Sequence, residues 1–387
     1  MLALLLSLTL TASMLAGCGG TAKEETADAA AAQTEEAPAD EESDAREEDN
    51  AKETKTIVDA SGNEVEVPVP PEAIVMGNAA LPSMVYAIQG HGENIMAIVP
   101  NAYSGYQETV LKDMAPEMAD VNTEVITNED MNLEAIAALG PDLILQRELS
   151  DEQSEQLESL GIPAAEVTNA KDIEGVKELI ALLGDILSCE ERADKFIDWY
   201  EETEQYFEDK QEEVAALSDE DKPKVLHIMY AEELSLYADG VNPYITELEG
   251  GKNIVLTGSS AETGQATIEE ILAYDPDIVF LSNFDDVTPE DLYNNELAGQ
   301  DWSDVSAVKN RQVYKVPYGL YRWAPPNAIE KPLYMLWTAS IVRPEIFSDY
   351  DIREELTDFF REFFNYELSQ EQISQILHLD LNEYSWE

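Results

Sequence analysis

Asn132-Leu133-Glu134-Ala135-Ile136-Ala137-Ala138-Leu139-Gly140-Pro141-Asp142-Leu143-Ile144-Leu145 is echoed in the second half of the chain by Thr267-Ile268-Glu269-Glu270-Ile271-Leu272-Ala273-Tyr274-Asp275-Pro276-Asp277-Ile278-Val279-Phe280. Each copy predicts a short helix opening at a cap-capable Asn or Thr, a stop at Pro-Asp, and an all-apolar strand. A strand that is apolar without interruption is buried on both faces, which predicts a parallel sheet flanked by helices. The copies are too few and too far apart for a solenoid. They predict two α/β lobes of related design.

Working outward from the first copy, Thr56 to Pro68 holds two β-rich runs around Ser61-Gly62-Asn63, a hairpin signal that opens the domain. Ala73 to Met76 reads as a strand, Leu81 to Gln89 as a helix with Pro82 at its second position, and Asn94 to Val99 as another strand. Between the two copies, Asp172 to Leu187 and Glu190 to Leu217 lack proline. The second stretch places Ala193, Phe196, Ile197, Tyr200, Thr203 and Phe207 at helical spacing. At 1.5 Å per residue such a helix is on the order of 38 Å long, enough to connect two lobes. Beyond it, Lys224 to Met229 predicts a strand, Gly250-Gly251 a turn, and Trp302 to Tyr314 a short helix, a turn and an edge strand. Pro332 to Ile341 and Arg353 to Phe364 read as helices, and Ser369 with Gln372 as the start of a last one.

A chain of 387 residues with 44% hydrophobic content can build more than one core. The segment from Thr21 to Lys55 cannot contribute to one: it is Ala, Glu, Asp, Thr and Pro, with 13 acidic against 4 basic residues, and is expected to stay extended. The formal net charge of -59 excludes nucleic acid as a partner and disfavours any polyanion at long range. Against that background each basic residue is worth locating. Cys18 and Cys189 are the only cysteines. Cys189 reads as a helix-boundary residue, and His91, His227 and His378 are too scattered for a zinc site. No resident metal or cofactor is expected.

The residues from Met1 to Ala16 are apolar or small and end in Leu15-Ala16-Gly17-Cys18, which resembles a bacterial lipobox, with Cys18 as the acylated first residue of the mature chain. The apolar run is short for a membrane span and suits an export signal. No basic residue precedes it, and an n-region is expected upstream of residue 1.

Taken together, Thr56 to Val75, the two Pro-Asp segments, Trp302 to Pro317, and Asn327 to Phe347 with the closing Leu-Ser-x-Glu-Gln near Gln372 resemble the substrate-binding proteins of ABC importers for iron-siderophores, haem and cobalamin. The resemblance covers nearly everything after Lys55. It implies two Rossmann-like lobes with mostly parallel sheets joined by one long helix, and a ligand cleft between them. The implied division is a signal peptide over 1–17, an acidic tether over 18–55, an N-terminal lobe over 56–170, a helical region with the connector over 171–217, and a C-terminal lobe over 218–387. It further implies a lipid-anchored monomer on the extracytoplasmic face, docking onto a permease dimer. Matching by the Pro-Asp anchors, Glu134 and Glu269 take the permease-docking positions, although a carboxylate in the first turn of a helix is favoured in any case.

Ligands of open α/β sheets collect beyond the carboxyl ends of the strands. That rule nominates Arg147 after the strand ending at Gln146, Tyr230 after Met229, Asn283 after Leu281, and Tyr103 and Tyr106 after Pro100. It also nominates Tyr321, Arg322 and Trp323 in the aromatic loop Tyr318 to Asn327. A ferric siderophore, haem or an oxyanion presents negative charge. A guanidinium offers fixed donors with retained charge, and an aromatic ring offers rigid contact area. Arg147 and Arg322 are therefore expected to clamp an anionic ligand from both lobes. Trp337 and His227 read as core. An enzyme would need a nucleophile, base or metal cluster at usable spacing, and none is present; a hydrolase or an adhesin remains the different-class alternative. An iron complex is the leading ligand, with haem, cobalamin or a molybdate- or tungstate-like oxyanion as alternatives.

Overall fold

A computed structural model of the chain describes residues 53–127, 130–238, 240–254 and 264–384. The expected signal segment, Cys18 and the tether as far as residue 52 lie outside these residues. The first strand, β1 (Thr54–Val58), pairs antiparallel with β2 (Glu64–Pro68) as a hairpin. Thr54 and Lys55 thus belong to the folded body and not to the tether expected to run to 55. The reason is electrostatic as well as local, since Lys55 Nζ lies 2.7 Å from Asp185 Oδ1.

Two separate sheets come next. The first contains β3 (Ile74–Met76), β4 (Ile95–Ile98), β5 (Leu143–Gln146) and β6 (Ala164–Glu166) in the order β4-β3-β5-β6, every pairing parallel. The second contains β7 (Lys224–Tyr230), β8 (Ser235–Leu236), β9 (Lys252–Asn253), β10 (Ile278–Leu281) and β11 (Val313–Lys315). Its order is β11-β10-β7-β8 with β9 also on β7, and only the β7–β8 pairing is antiparallel. The α/β reading with mostly parallel sheets holds, and β11 is an edge strand as expected.

The two quoted segments do the same work in both halves. Asn132 caps the helix Leu133–Leu139 by accepting from Ala135 N, and Thr267 caps Ile268–Tyr274 in a capping box with Glu270. Each helix closes on a left-handed residue, Gly140 or Asp275. The aspartate of each Pro-Asp then reaches the entry of a neighbouring strand. Asp142 accepts from Glu72 N and Ala73 N at 2.9 Å each, ahead of β3, and Asp277 accepts from Lys224 N at 2.8 Å at the start of β7. Proline stops the helix and the carboxylate satisfies amides that no strand has yet paired. Ser369 and Gln372 form the capping box read from the sequence, and Ser150 with Gln153 forms another ahead of Asp151–Leu160.

Helix Ile173–Leu187 ends at Ser188 in the left-handed region, and the 26-residue helix Glu190–Ala215 begins after Cys189. The long helix is tied to elements of both sheets. Its Arg192 Nε donates to Ala87 O of helix Leu81–Gln89, and its Tyr200 hydroxyl lies 3.1 Å from Ala328 O and Ile329 O. The core does not divide lobe by lobe. One buried cluster runs from the first sheet through the long helix to Phe280, Tyr314 and Trp337, while Val279, Leu281, Trp302 and Val313 form a second cluster on the other face of the second sheet. His227 and Trp337 are in the interior, as read. Among the described residues no helix is long and apolar enough to cross a membrane.

Candidate functional site

The carboxyl ends of both sheets open onto one cleft of about 460 Å³. From the first sheet come the chain after β3 (Gly77 to Ala80), the end of β5 with the two residues after it (Gln146 to Glu148), and Asn169 after β6. From the second come Met229 and Tyr230 at the end of β7, Tyr237 after β8, Phe284 beyond β10, and Tyr321, Pro325, Pro326 and Asn327 beyond β11. Asn101, Asp130 and Gln153 complete the wall.

A chain of amides crosses the cleft floor. Asn78 Nδ2 donates to Asn169 Oδ1 at 3.2 Å, and Asn327 Nδ2 donates to the same oxygen at 3.3 Å. Asn327 Oδ1 accepts from Ala170 N at 2.8 Å, so this residue of the second half is held by the backbone of the first. The loop carrying Tyr321 is anchored from behind. The fully buried Glu330 accepts from Leu320 N at 3.0 and 2.9 Å and from Tyr321 N at 3.2 Å. Buried Lys331 donates from Nζ to Trp323 O at 2.7 Å. Gly319 is required beside Glu330, because a Cβ there would stand 1.8 Å from Glu330 Oε1. Gly105 plays the same part in front, where a Cβ would stand 2.3 Å from Tyr321 Cε2, so the ring rests on the backbone of the facing helix Pro100–Glu108.

Burial sets the charge states. It raises the Tyr321 phenol to about 12 against the opposing pull of Arg322, and it pushes the Tyr237 phenol well above its ordinary range. Both are neutral hydroxyls at any physiological pH. Burial also lifts the Glu330 carboxyl to about 7 despite the Leu320 and Tyr321 amides that favour its ionised form.

Of the residues predicted from the sequence, Arg147, Tyr230 and Tyr321 line this cleft together. Arg147 is exposed at its edge. Among the described residues it is the one arginine whose guanidinium has neither an ion pair nor a hydrogen bond, since Arg192, Arg311, Arg322, Arg343, Arg353 and Arg361 all have partners.

The other nominated residues do not line this cleft. Arg322 lies behind Tyr321. It is 5% exposed, its Nη2 is 2.9 Å from Glu108 Oε2, and its guanidinium lies 5.1 Å from the Phe284 ring centroid, turned toward a neighbouring depression of about 800 Å³. The two-arginine clamp is not formed in this structure, where a carboxylate from the opposite half pairs with Nη2 of the second guanidinium and its Nε is left without a hydrogen bond. Asn283 lines that same depression and donates from Nδ2 to Val316 O. Trp323 is fully buried in the main core. Tyr103 and Tyr106 belong to helix Pro100–Glu108 and not to a loop; their hydroxyls donate to Ala119 O at 2.8 Å and Ala115 O at 3.1 Å, away from the cleft.

Sequence reasoning missed Asn78, Asn101, Asn169 and Tyr237. Asn78 and Asn169 come just after strands and were open to the same rule that found Arg147. Tyr237 comes after a two-residue strand that carries no readable pattern. Glu134 and Glu269 are exposed in the first turns of the two repeated helices.

Two parallel-stranded halves, one long connecting helix and a polar cleft at the strand ends define a two-lobed binding protein. The chain belongs to the periplasmic binding protein family, whose model matches residues 74–318. It is 34% identical to a periplasmic solute binding protein of Veillonella parvula DSM 2008, which aligns over 85% of this chain and 98% of that one with a TM-score of 0.76. The Bacillus subtilis strain 168 protein YvrC, named as an uncharacterized ABC transporter substrate-binding lipoprotein, is 27% identical over 333 residues, 84% of this chain and 92% of the relative. The molybdate-bound structure of the Haemophilus influenzae protein MolA shares the fold at 17% identity and a TM-score of 0.67, over 81% of this chain and 99% of that one.

Proposed function

We propose that this protein is the extracytoplasmic, lipid-anchored substrate-binding component of an ABC importer, and that its cargo is an anionic iron complex of the ferric-siderophore kind. The observation that carries the cargo reading is the cleft itself: about 460 Å³, lined by amides and phenols, with one unpaired guanidinium at its edge. That volume suits a chelate-sized molecule. A small tetrahedral oxyanion such as the one bound to MolA would need its donors and positive charge to converge on a much tighter pocket, and the second arginine is committed to Glu108. The lipid anchor rests on the Leu15-to-Cys18 motif and on the name of the YvrC relative. The permease contacts assigned to Glu134 and Glu269 are supported by their matching places in the two halves and their exposure.

Arg147→Ala is expected to weaken capture of a ferric catecholate about 10- to 100-fold, the worth of a charge-assisted hydrogen bond or two. Because the side chain is exposed and unpaired, stability should change by no more than about 0.5 kcal/mol. Titration by intrinsic fluorescence and a thermal melt measure the two. A wild type that takes molybdate and refuses every ferric chelate would replace the iron reading with the oxyanion one. Glu134→Arg and Glu269→Arg should leave that affinity intact and cut uptake by cells carrying the importer at least about 10-fold when combined, on the scale of a lost charge pair at an interface. Undiminished uptake by the double variant would remove both residues from the docking surface.

A further inference from the structure

The Tyr237 hydroxyl and the side-chain oxygen of Asn101 are shielded from solvent and without a hydrogen-bond partner, and the equally shielded Tyr321 hydroxyl has no acceptor for its O–H, the Arg322 guanidinium beside it being a donor only. The three belong to different parts of the chain, a helix of the first half, the end of β8 and the loop beyond β11, and all three residues line the same cleft. Buried polar atoms of folded proteins are nearly always paired, and two phenol O–H groups and an amide oxygen left open in one cleft call for a partner there. Tyr237 is 7% exposed and Tyr321 2%, so both side chains are held in place within the wall of the cleft.

We infer that Asn101, Tyr237 and Tyr321 form a neutral hydrogen-bonding subsite for the cargo, one that takes a region of the ligand rich in acceptor oxygens and carrying at least one N–H or O–H donor. This rests on the reading of the cleft as the cargo site and narrows the cargo to chelates with amide or hydroxamate groups on their periphery. The polarity of the subsite is set by its neighbours. The guanidinium of Arg322 has only donors to offer, and it stands beside Tyr321. The Tyr321 oxygen therefore faces donors, and its O–H is left to point at an acceptor. Tyr237 feels both Tyr321 and Tyr230 electrostatically, so the phenols are grouped and not scattered. Asn101 Oδ1 can only accept, which calls for the ligand donor. A bare oxyanion has no such donor, and haem, whose peripheral polar groups are carboxylates at neutral pH, offers none to Asn101 Oδ1 either.

The test compares wild type with Tyr237→Phe, Tyr321→Phe and the double variant. The probes are ferric desferrioxamine B, ferric enterobactin, haemin and molybdate. Wild type should bind one of the two ferric chelates most tightly. Each single variant should weaken that binding about 3- to 10-fold, the net worth of one hydrogen bond. The ligand-free melting temperature of each variant should equal or exceed that of wild type, since a partnerless buried hydroxyl has been removed. Unchanged affinity in both single variants overturns the subsite while leaving the iron reading standing, and a lowered ligand-free melting temperature overturns it too by showing that the hydroxyls have structural partners. If wild type prefers haemin or molybdate and the phenylalanine variants lose that ligand, the iron reading and the narrowing to amide-bearing chelates fail, and the three residues keep their role. A wild type that binds none of the four overturns both.

Discussion

Glu330→Ala is expected to lower stability at pH 6 by about 3–5 kcal/mol and to abolish cargo capture. The carboxylate is fully buried and is the acceptor for Leu320 N and Tyr321 N. Alanine leaves two buried amides unpaired, at about 1–3 kcal/mol each, and opens a cavity besides. It also releases the loop that lays Tyr321 on Gly105, which is why capture goes with stability. Glu330→Gln keeps one acceptor oxygen and separates charge from hydrogen bonding. The Glu330 carboxyl is raised in the folded protein, from 4.5 to about 7. A raised folded value means that the native state binds the proton more tightly than the unfolded chain. The stabilisation is therefore complete below about pH 4.5 and is lost as pH rises through 7. Its size is on the order of 3 kcal/mol, taking 1.36 kcal/mol per pKa unit. Lys331 is buried beside it with its amine held below the ordinary range, and His227 is buried and held down to about 3; both act in the opposite direction. The informative quantity is thus the difference between wild type and Glu330→Gln in thermal melts from pH 5 to pH 8. Wild type should lose ground to the variant as pH rises, and parallel curves would show that Glu330 stays charged throughout.

Phe196→Ala should cost about 3–5 kcal/mol, the usual range for truncating a buried aromatic. Phe196 lies on the long helix with no exposed surface, stacked on Phe363 at 4.2 Å between ring centroids and in contact with Phe359 and Phe364 of helix Ile352–Phe364. Trp199 stacks on Phe359 one turn further, and Arg192 donates to Phe363 O at 2.7 Å from the turn before. Three successive turns of the connector are thereby fixed to the C-terminal helices, so the residual packing cannot collapse easily into the space an alanine leaves. Chemical denaturation measures the loss. Because none of these aromatic residues lines the cleft, the folded variant should bind cargo with wild-type affinity, and a parallel fall in affinity would show that the connector transmits its packing to the cleft.

How far the sequence could be read depended on the range of the interaction concerned. Asn132, Thr267 and Ser369 act within one helical turn, and each caps the helix read for it. The Pro-Asp turns were legible as helix stops. The reach of Asp142 to Glu72 and Ala73, and of Asp277 to Lys224, was not, because these partners lie far away along the chain. Tyr103 and Tyr106 follow a strand in the sequence, but Pro100 opens a helix there, since proline is tolerated in the first helical turn, and the helix carries both hydroxyls to Ala119 and Ala115. Trp323 sits in an aromatic loop that reads as part of the ligand site, yet the anchors from Glu330 and Lys331 draw its ring into the interior.

By itself the amino-acid sequence determined the two α/β halves, the long connector and the family, since periodicity, caps and breakers are short-range instructions that each segment obeys on its own. Only the tertiary structure decided which arginine lines the cleft. Arg147 and Arg322 both lie past strand ends in segments of the same kind, and the difference between them is Glu108, distant in sequence and 2.9 Å away in space, which holds one guanidinium against the facing lobe and leaves the other without a partner at the cleft edge.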